Sequence, residues 1–150
     1  MRTFRGIAEL EQAVGTHVGY SDWHVITQQQ IDTFAEATGD HQWIHVDPDK
    51  AAEGPFGATI AHGYLTMSLV PMLVAQIATI EGLSMVVNYG ANKLRFPSPV
   101  PVGSKLRASA ELVSLESGAG GYHLVQRVTV ERDCGEKPAC VVETVSLLVP

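Results

Sequence analysis

The sequence predicts an α+β fold in which an antiparallel sheet packs around one long central helix. From about Ile60 to Ile80 almost every residue is apolar, so a helix in this segment has no polar face and must be covered by other elements. After it, runs of alternating residues indicate strands. In Lys105–Leu115, for example, apolar and polar side chains alternate, which gives a strand one dry face and one wet face.

The chain ahead of the central helix predicts a short strand and a well-delimited helix. Residues with helical spacing near the N-terminus indicate a first helix, and Trp23–Ile26 a short strand. Thr27 is predicted as the N-cap and Gln30 as the N3 residue of a capping box. The helix that follows should end at Gly39, because glycine readily adopts the left-handed conformation found at helix C-termini.

The segment Asp40–Val46 is predicted to be a loop held between two helix ends. Asp47 followed by Pro48 has the pattern of an N-cap and a first helical residue, which predicts a short helix that closes before Pro55. A loop that is fixed at both ends can hold side chains in defined positions while leaving them accessible.

Strand patterns dominate the C-terminal half. The segment 118–121 is predicted as a hairpin loop, so the last three strands form an antiparallel meander. The length of 150 residues suits a single domain, 1–150, or one protomer of a small oligomer. The predicted strands are Met85–Tyr89, Lys93–Phe96, Lys105–Leu115, Tyr122–Arg132 and Ala139–Val149.

Composition and charge argue against several classes of function. The chain is 45% apolar and 17% charged, as in globular proteins, and its net charge of −6 argues against nucleic-acid binding. Its most apolar segment, 64–78, is shorter than the ~20 residues of a membrane span, and Pro71 and Gln76 interrupt it. Cys134 and Cys140 match neither a disulfide framework nor a zinc site, which favours a reduced, cytoplasmic protein. No phosphate-binding glycine loop or metal-ligand spacing occurs, so neither a cofactor nor a metal is predicted.

Two short motifs carry candidate chemistry. The first places a carboxylate, Asp40, five residues before an imidazole, His45, and both groups can exchange protons. The second places Gly63 at the start of the central helix, where a backbone N–H lies at the positive end of the helix dipole. An acid/base pair beside such an N–H can add water to, or remove it from, a substrate activated by a carbonyl.

These motifs are similar to those of the MaoC-like dehydratases, a family that includes the R-specific enoyl-CoA hydratases. The family motif runs aromatic, Gly-Asp, aliphatic, His and acidic, as the segment 34–48 does. His62-Gly63 and Arg95-Phe96-Pro97 match two later features in the right order, and the full-length similarity is nearest to the NodN-like members. The chain departs from many members in having Gln42-Trp43 where they have Asn-Pro.

The resemblance implies a hot-dog fold, a homodimer and a reaction. The reaction is reversible hydration of a trans-2-enoyl thioester of coenzyme A, or of acyl carrier protein, to the (R)-3-hydroxyacyl thioester. Asp40 and His45 would grip one water molecule, and the N–H of Gly63 would bind the thioester oxygen. The resemblance implies no cofactor and no metal. Two alternatives stay open: an acyl-CoA thioesterase on the same fold, and a non-catalytic module that only binds acyl-CoA.

Three further residues are candidates for substrate binding. Trp43 either lines an acyl channel or packs in the core. Lys93 and Arg95 belong to a group of four basic residues between positions 93 and 107, which either meets the phosphates of coenzyme A or lies on a solvated strand face. His62 is predicted to pack or to form a hydrogen bond at the helix N-terminus.

Overall fold

A computed structural model describes residues 1–150 and confirms the α+β arrangement of one long helix packed against a large antiparallel sheet. Four shorter helices and a two-stranded parallel sheet complete the chain. The elements in chain order are β1 (Arg2–Phe4), α1 (Ile7–Gln12), β2 (His17–Tyr20), β3 (His24–Val25), α2 (Gln28–Thr38), α3 (Trp43–Val46), α4 (Pro48–Ala52), α5 (Gly63–Ile77), β4 (Ala78–Ile80), β5 (Met85–Arg95), β6 (Lys105–Gly118), β7 (Gly121–Arg132) and β8 (Cys140–Val149).

The main sheet has the strand order β2-β6-β7-β8-β5, with β3 pairing a second segment of β6. Strands β6, β7 and β8 form the predicted meander, and β5 pairs antiparallel with β8 alone. The prediction of two separate strands in 85–96 was wrong, because β5 is continuous. Its register shifts at 88–90 and 92–95, and Lys93 has a positive φ of 52°, so the alternation of side chains is interrupted without ending the strand.

Helix α5 is shorter and less covered than the sequence predicted. It ends at Ile77, because Ala78–Ile80 leaves the helix and pairs in parallel with β1, a contact between segments far apart in sequence. Its inner face joins a core cluster of 16 buried residues. The prediction that it is covered on all sides was wrong for one flank, where Tyr64 is 68% exposed and Met72 is 38% exposed.

The helices before α5 fix the segment that carries the candidate acid and base. Thr27 caps α2 as predicted, since its side chain accepts a hydrogen bond from the Gln30 N–H at 3.2 Å. The Gln30 side chain contacts His24 instead of closing the capping box. Gly39 ends α2 with a φ of 81°, as predicted. The segment Asp40–Val46 is not entirely a loop, because its second half forms the one-turn helix α3.

Both cysteines are unpaired, in agreement with the prediction that they form no disulfide. Cys134 lies exposed in the turn between β7 and β8, whereas Cys140 is buried at the start of β8. Burial in apolar surroundings raises the pKa of the Cys140 thiol to about 11. None of the helices has the length and apolar character needed to cross a membrane.

Candidate active site

Three chain segments meet at the N-terminus of α5 and bring the candidate acid and base together. Asp40 follows the end of α2, His45 lies on α3, and His62 precedes the first residue of α5. One imidazole nitrogen from each histidine and one carboxylate oxygen of Asp40 lie within 4.8 Å of one another. The pair predicted from the sequence therefore converges in space, with His62 as a third member that the sequence assigned only to packing or to helix-end hydrogen bonding.

His45 is held in one tautomer by the backbone. It is 6% exposed, and its Nδ1 lies 2.7 Å from the carbonyl oxygen of Ile60. A carbonyl oxygen can only accept, so Nδ1 carries the hydrogen and Nε2 of the neutral ring keeps its lone pair. Nε2 is therefore the atom of His45 that can accept a proton.

Burial lowers the pKa of His45 below its ordinary value of 6.5, because it penalises the charged form of the ring. The hydrogen bond to Ile60 opposes this effect, and the charge of Asp40 opposes it more weakly. The neighbouring His62 lowers the pKa further. The imidazole is therefore neutral at neutral pH and can act as a base.

Gln28 supports His45 from the first turn of α2. Its Nε2 donates a 2.8 Å hydrogen bond to the main-chain oxygen of His45, and its Oε1 accepts one of 2.5 Å from the hydroxyl of Thr59. These partners are 17 and 31 residues away in sequence. No local pattern marks such a residue, so the sequence analysis did not single out Gln28.

Asp40 is exposed, and its main chain is fixed from the opposite side. Its carbonyl oxygen accepts a 2.9 Å hydrogen bond from Nε2 of His62. Its carboxylate accepts only a long bond of 3.4 Å from the N–H of Gln42, so its oxygens are available to a ligand. The site thus combines an accessible carboxylate with a buried neutral imidazole.

Gly63 begins α5, and its N–H takes part in none of the backbone hydrogen bonds of the chain. This N–H is one of the free donors found at every helix N-terminus. A side chain at this position would collide with the ring of Phe96, since a Cβ would lie 2.8 Å from it. A larger residue here would force the Phe96 ring to move, so the protein's own packing favours glycine in addition to any close approach of a substrate.

The three side chains do not fit a metal ion held by both imidazoles. The rings of His45 and His62 stack with centroids 3.8 Å apart and an angle of 22° between their planes. The lone pairs of an imidazole lie in the ring plane, so those of two nearly parallel rings run side by side instead of converging on one ion. The geometry favours proton transfer over metal coordination.

A protein-family model, the MaoC like domain, matches residues 9–133. The chain belongs to the MaoC-like family. It is 53% identical to 3-hydroxyacyl-thioester dehydratase Z of Mycobacterium tuberculosis over 97% of each chain. It is 39% identical to nodulation protein N of Rhizobium leguminosarum, over 95% of this chain and 90% of that protein. The resemblance inferred from the motifs is thereby confirmed, and the chain is an enzyme of the MaoC-like hydratases and dehydratases.

Solved structures confirm the hot-dog fold of this MaoC-like chain. The R-hydratase PhaJ1 of Pseudomonas aeruginosa superposes with a TM-score of 0.75 at 25% identity, covering 95% of this chain and 84% of that one. The (R)-hydratase of A. caviae, described as involved in PHA biosynthesis, superposes with a TM-score of 0.74 at 26% identity, covering 91% of this chain and 96% of that one.

The remaining candidates of this MaoC-like chain lie around the site. Trp43 is half-buried, with Lys50 over its ring at 4.7 Å and Gly54 against its edge. Lys93 and Arg95 are exposed on β5, just before the Phe96 ring that covers Gly63. Substrate binding by these three residues stays a prediction.

The buried histidine predicts a specific pH dependence of stability. The folded state holds His45 with a lowered pKa, so below about 6.5 the unfolded state binds an extra proton that the folded state resists. The free energy of unfolding should therefore fall as the pH decreases through and below that value. Denaturant unfolding at several pH values should show that the free energy of unfolding falls less with decreasing pH in His45→Gln than in the unaltered protein. Equal pH dependence of stability in the two proteins would contradict a lowered pKa of His45 in the folded state.

Proposed function

We propose that the protein catalyses the reversible hydration of trans-2-enoyl-CoA to (R)-3-hydroxyacyl-CoA. The observation that carries this proposal is the convergence of Asp40 and His45 beside the free N–H of Gly63. The names of the relatives support the substrate class, because one is a 3-hydroxyacyl-thioester dehydratase and two structural neighbours are R-hydratases.

The geometry suggests how the three groups divide the reaction. Asp40 and Nε2 of His45 hold a water molecule and accept its proton as its oxygen bonds to C3 of the enoyl group. The electrons of the double bond move towards the thioester carbonyl, whose oxygen gains negative charge and accepts a hydrogen bond from Gly63. A proton from the same acid/base pair then completes C2. Dehydration is the same sequence in reverse.

A cavity beside α5 is suited to the acyl chain. It has a volume of about 580 Å³, and most of the residues that line it are apolar. Its wall begins on α5 at Val70, seven residues beyond Gly63, which corresponds to about 10 Å along a helix. An acyl chain whose thioester lies at the helix N-terminus could therefore run along α5 into this space. Its other α5 lining residues are Pro71, Val74 and Ala75.

The exposed edge of the sheet is suited to a second copy of this chain. Strand β5 has 11 residues and pairs on one side only, and apolar side chains on it are open to solvent, among them Val86 at 56% and Tyr89 at 68% exposure. Because a strand can pair with itself about a two-fold axis, one copy covers the edge of the other. The homodimer, and a cytoplasmic location, are part of the proposal.

Removal of either proton-transfer group should abolish the reaction. Asp40→Asn and His45→Gln should each reduce kcat for crotonyl-CoA hydration by at least ~100-fold, because each variant loses a group that moves a proton. Turnover is measured as loss of the enoyl thioester, with chiral analysis of the product. His41→Gln is the matched control, since His41 is exposed and pairs only with Glu36 at 3.6 Å.

Three results would contradict the proposed function. Near-unaltered turnover in either variant would remove that residue from the mechanism. Release of free thiol by the unaltered protein would identify a thioesterase. Saturable acyl-CoA binding without turnover would identify a binding module.

A larger residue in the cavity should shorten the acyl chain that the enzyme accepts. Val74→Phe fills space next to α5, so the ratio of kcat/KM for C12 to C4 enoyl-CoA should fall at least ~10-fold. The control is Met72→Phe, because Met72 lies on the exposed side of the same helix and does not line the cavity. An unchanged ratio in Val74→Phe would place the acyl chain elsewhere.

The dimer can be tested at the edge strand. Light scattering should give twice the chain mass of 16.1 kDa for the unaltered protein, and a mass shifted towards the monomer for Val86→Asp. Val25→Asp is the control, because Val25 is also apolar and 47% exposed but lies on β3. A monomeric unaltered protein, or a dimer that tolerates a charge at Val86, would rule out pairing through β5.

A further inference from the structure

His62 is enclosed between two aromatic rings. It is 2% exposed, with the ring of His45 stacked on one side at 3.8 Å and the ring of Phe34 tilted against it at 4.9 Å. It stands at the N-cap position of α5, yet its side chain caps no helical N–H. Its Nε2 instead forms a hydrogen bond with the main chain of Asp40.

The two ring nitrogens of His62 have different surroundings. Nε2 lies 2.9 Å from the carbonyl oxygen of Asp40 and must be the donor, because a carbonyl oxygen only accepts. Nδ1 is buried and has no hydrogen-bond partner. A hydrogen on Nδ1 would leave a buried donor unpaired, so Nε2 carries the hydrogen and Nδ1 keeps its lone pair.

We propose that His62 is a positioning residue that joins the proposed acid and base into one rigid unit. Its N–H fixes the main chain of Asp40, and its ring face fixes the plane of His45. Asp40 needs this support because it is exposed and follows a helix end. The hydrogen bond that its carboxylate accepts from the N–H of Gln42 is long, at 3.4 Å. The kinetic consequences rest on the proposed hydratase activity, whereas the tautomers do not.

The same arrangement affects the protonation of His45. The titratable groups that act on His45 are Asp40 and His62, which have opposite effects on its pKa. Stacking of His62 also excludes water from one face of the His45 ring, and exclusion of water disfavours the charged imidazole. Loss of the stacked ring at position 62 should therefore let His45 take up a proton at a higher pH.

Two variants separate the two contacts. His62→Phe keeps a ring to stack on His45 but loses the donor to Asp40, whereas His62→Gln keeps an N–H donor and loses the ring. Each should lower kcat at least ~10-fold with little change in KM, because the acid and base are misplaced while substrate binding persists. In His62→Gln, which no longer covers the His45 ring, the acid limb of the kcat/KM pH profile should move to higher pH, whereas in His62→Phe, which still covers it, the acid limb should stay in place. His41→Gln should change neither quantity.

A merely structural role of His62 would lower the melting temperature and the yield of folded protein without moving the acid limb. A kcat equal to that of the unaltered enzyme in either variant, or an unmoved acid limb in His62→Gln, would overturn the proposal.

Nitrogen NMR of the unaltered protein labelled with ¹⁵N-histidine tests the same proposal without any variant. At neutral pH we expect the Nε2–H tautomer for His62 and the Nδ1–H tautomer for His45. A His62 in the Nδ1–H form would overturn the proposal even if both variants fail to fold. If the protein hydrates no enoyl thioester, the proposed function fails, and the tautomers still decide the positioning role.

Discussion

The hydrogen bond between Nδ1 of His45 and the carbonyl of Ile60 connects the fold to the chemistry of the site. It is 2.7 Å long and buried, and it links the one-turn helix α3 to the segment that leads into α5. A second bond, from the N–H of Ile60 to Ile44, joins the same two segments through their backbones. Because these bonds fix both the place and the tautomer of the imidazole, Nε2 is the nitrogen left to accept a proton.

Local patterns predicted those parts of the site that depend on short stretches of chain. Gly39, Asp40 and His45 follow from helix-end chemistry and a family motif, and the alternation in β6 indicated a half-buried strand. The one-turn helix α3 was missed because four residues are too few to show helical periodicity. The support from Gln28 was missed because it acts across 17 residues, and side-chain contacts at that separation leave no local pattern.

The start of α5 combines two requirements that oppose each other. In the proposed reaction its first N–H must stay free to bind the thioester oxygen, yet the surrounding segment must hold its shape. Gly63 satisfies both, because the absent side chain leaves room for the Phe96 ring while the backbone donor remains unused. Of the four basic residues between positions 93 and 107, Arg107 is already occupied by Glu131 and by the rings of Tyr20 and Trp23. Other exposed cations on β5 are therefore better placed to meet a negatively charged ligand.

The unequal surroundings of the two thiols provide a way to attach a reporter at one defined point. Reaction of a cysteine requires its thiolate, which is scarce at Cys140 because that thiol is buried and has a pKa of about 11. Cys134 is exposed in the turn between β7 and β8, so a maleimide fluorophore should modify it alone without any engineering of the chain. A native protein labelled in this way would allow association of its copies, or movement of the turn between β7 and β8, to be followed by fluorescence.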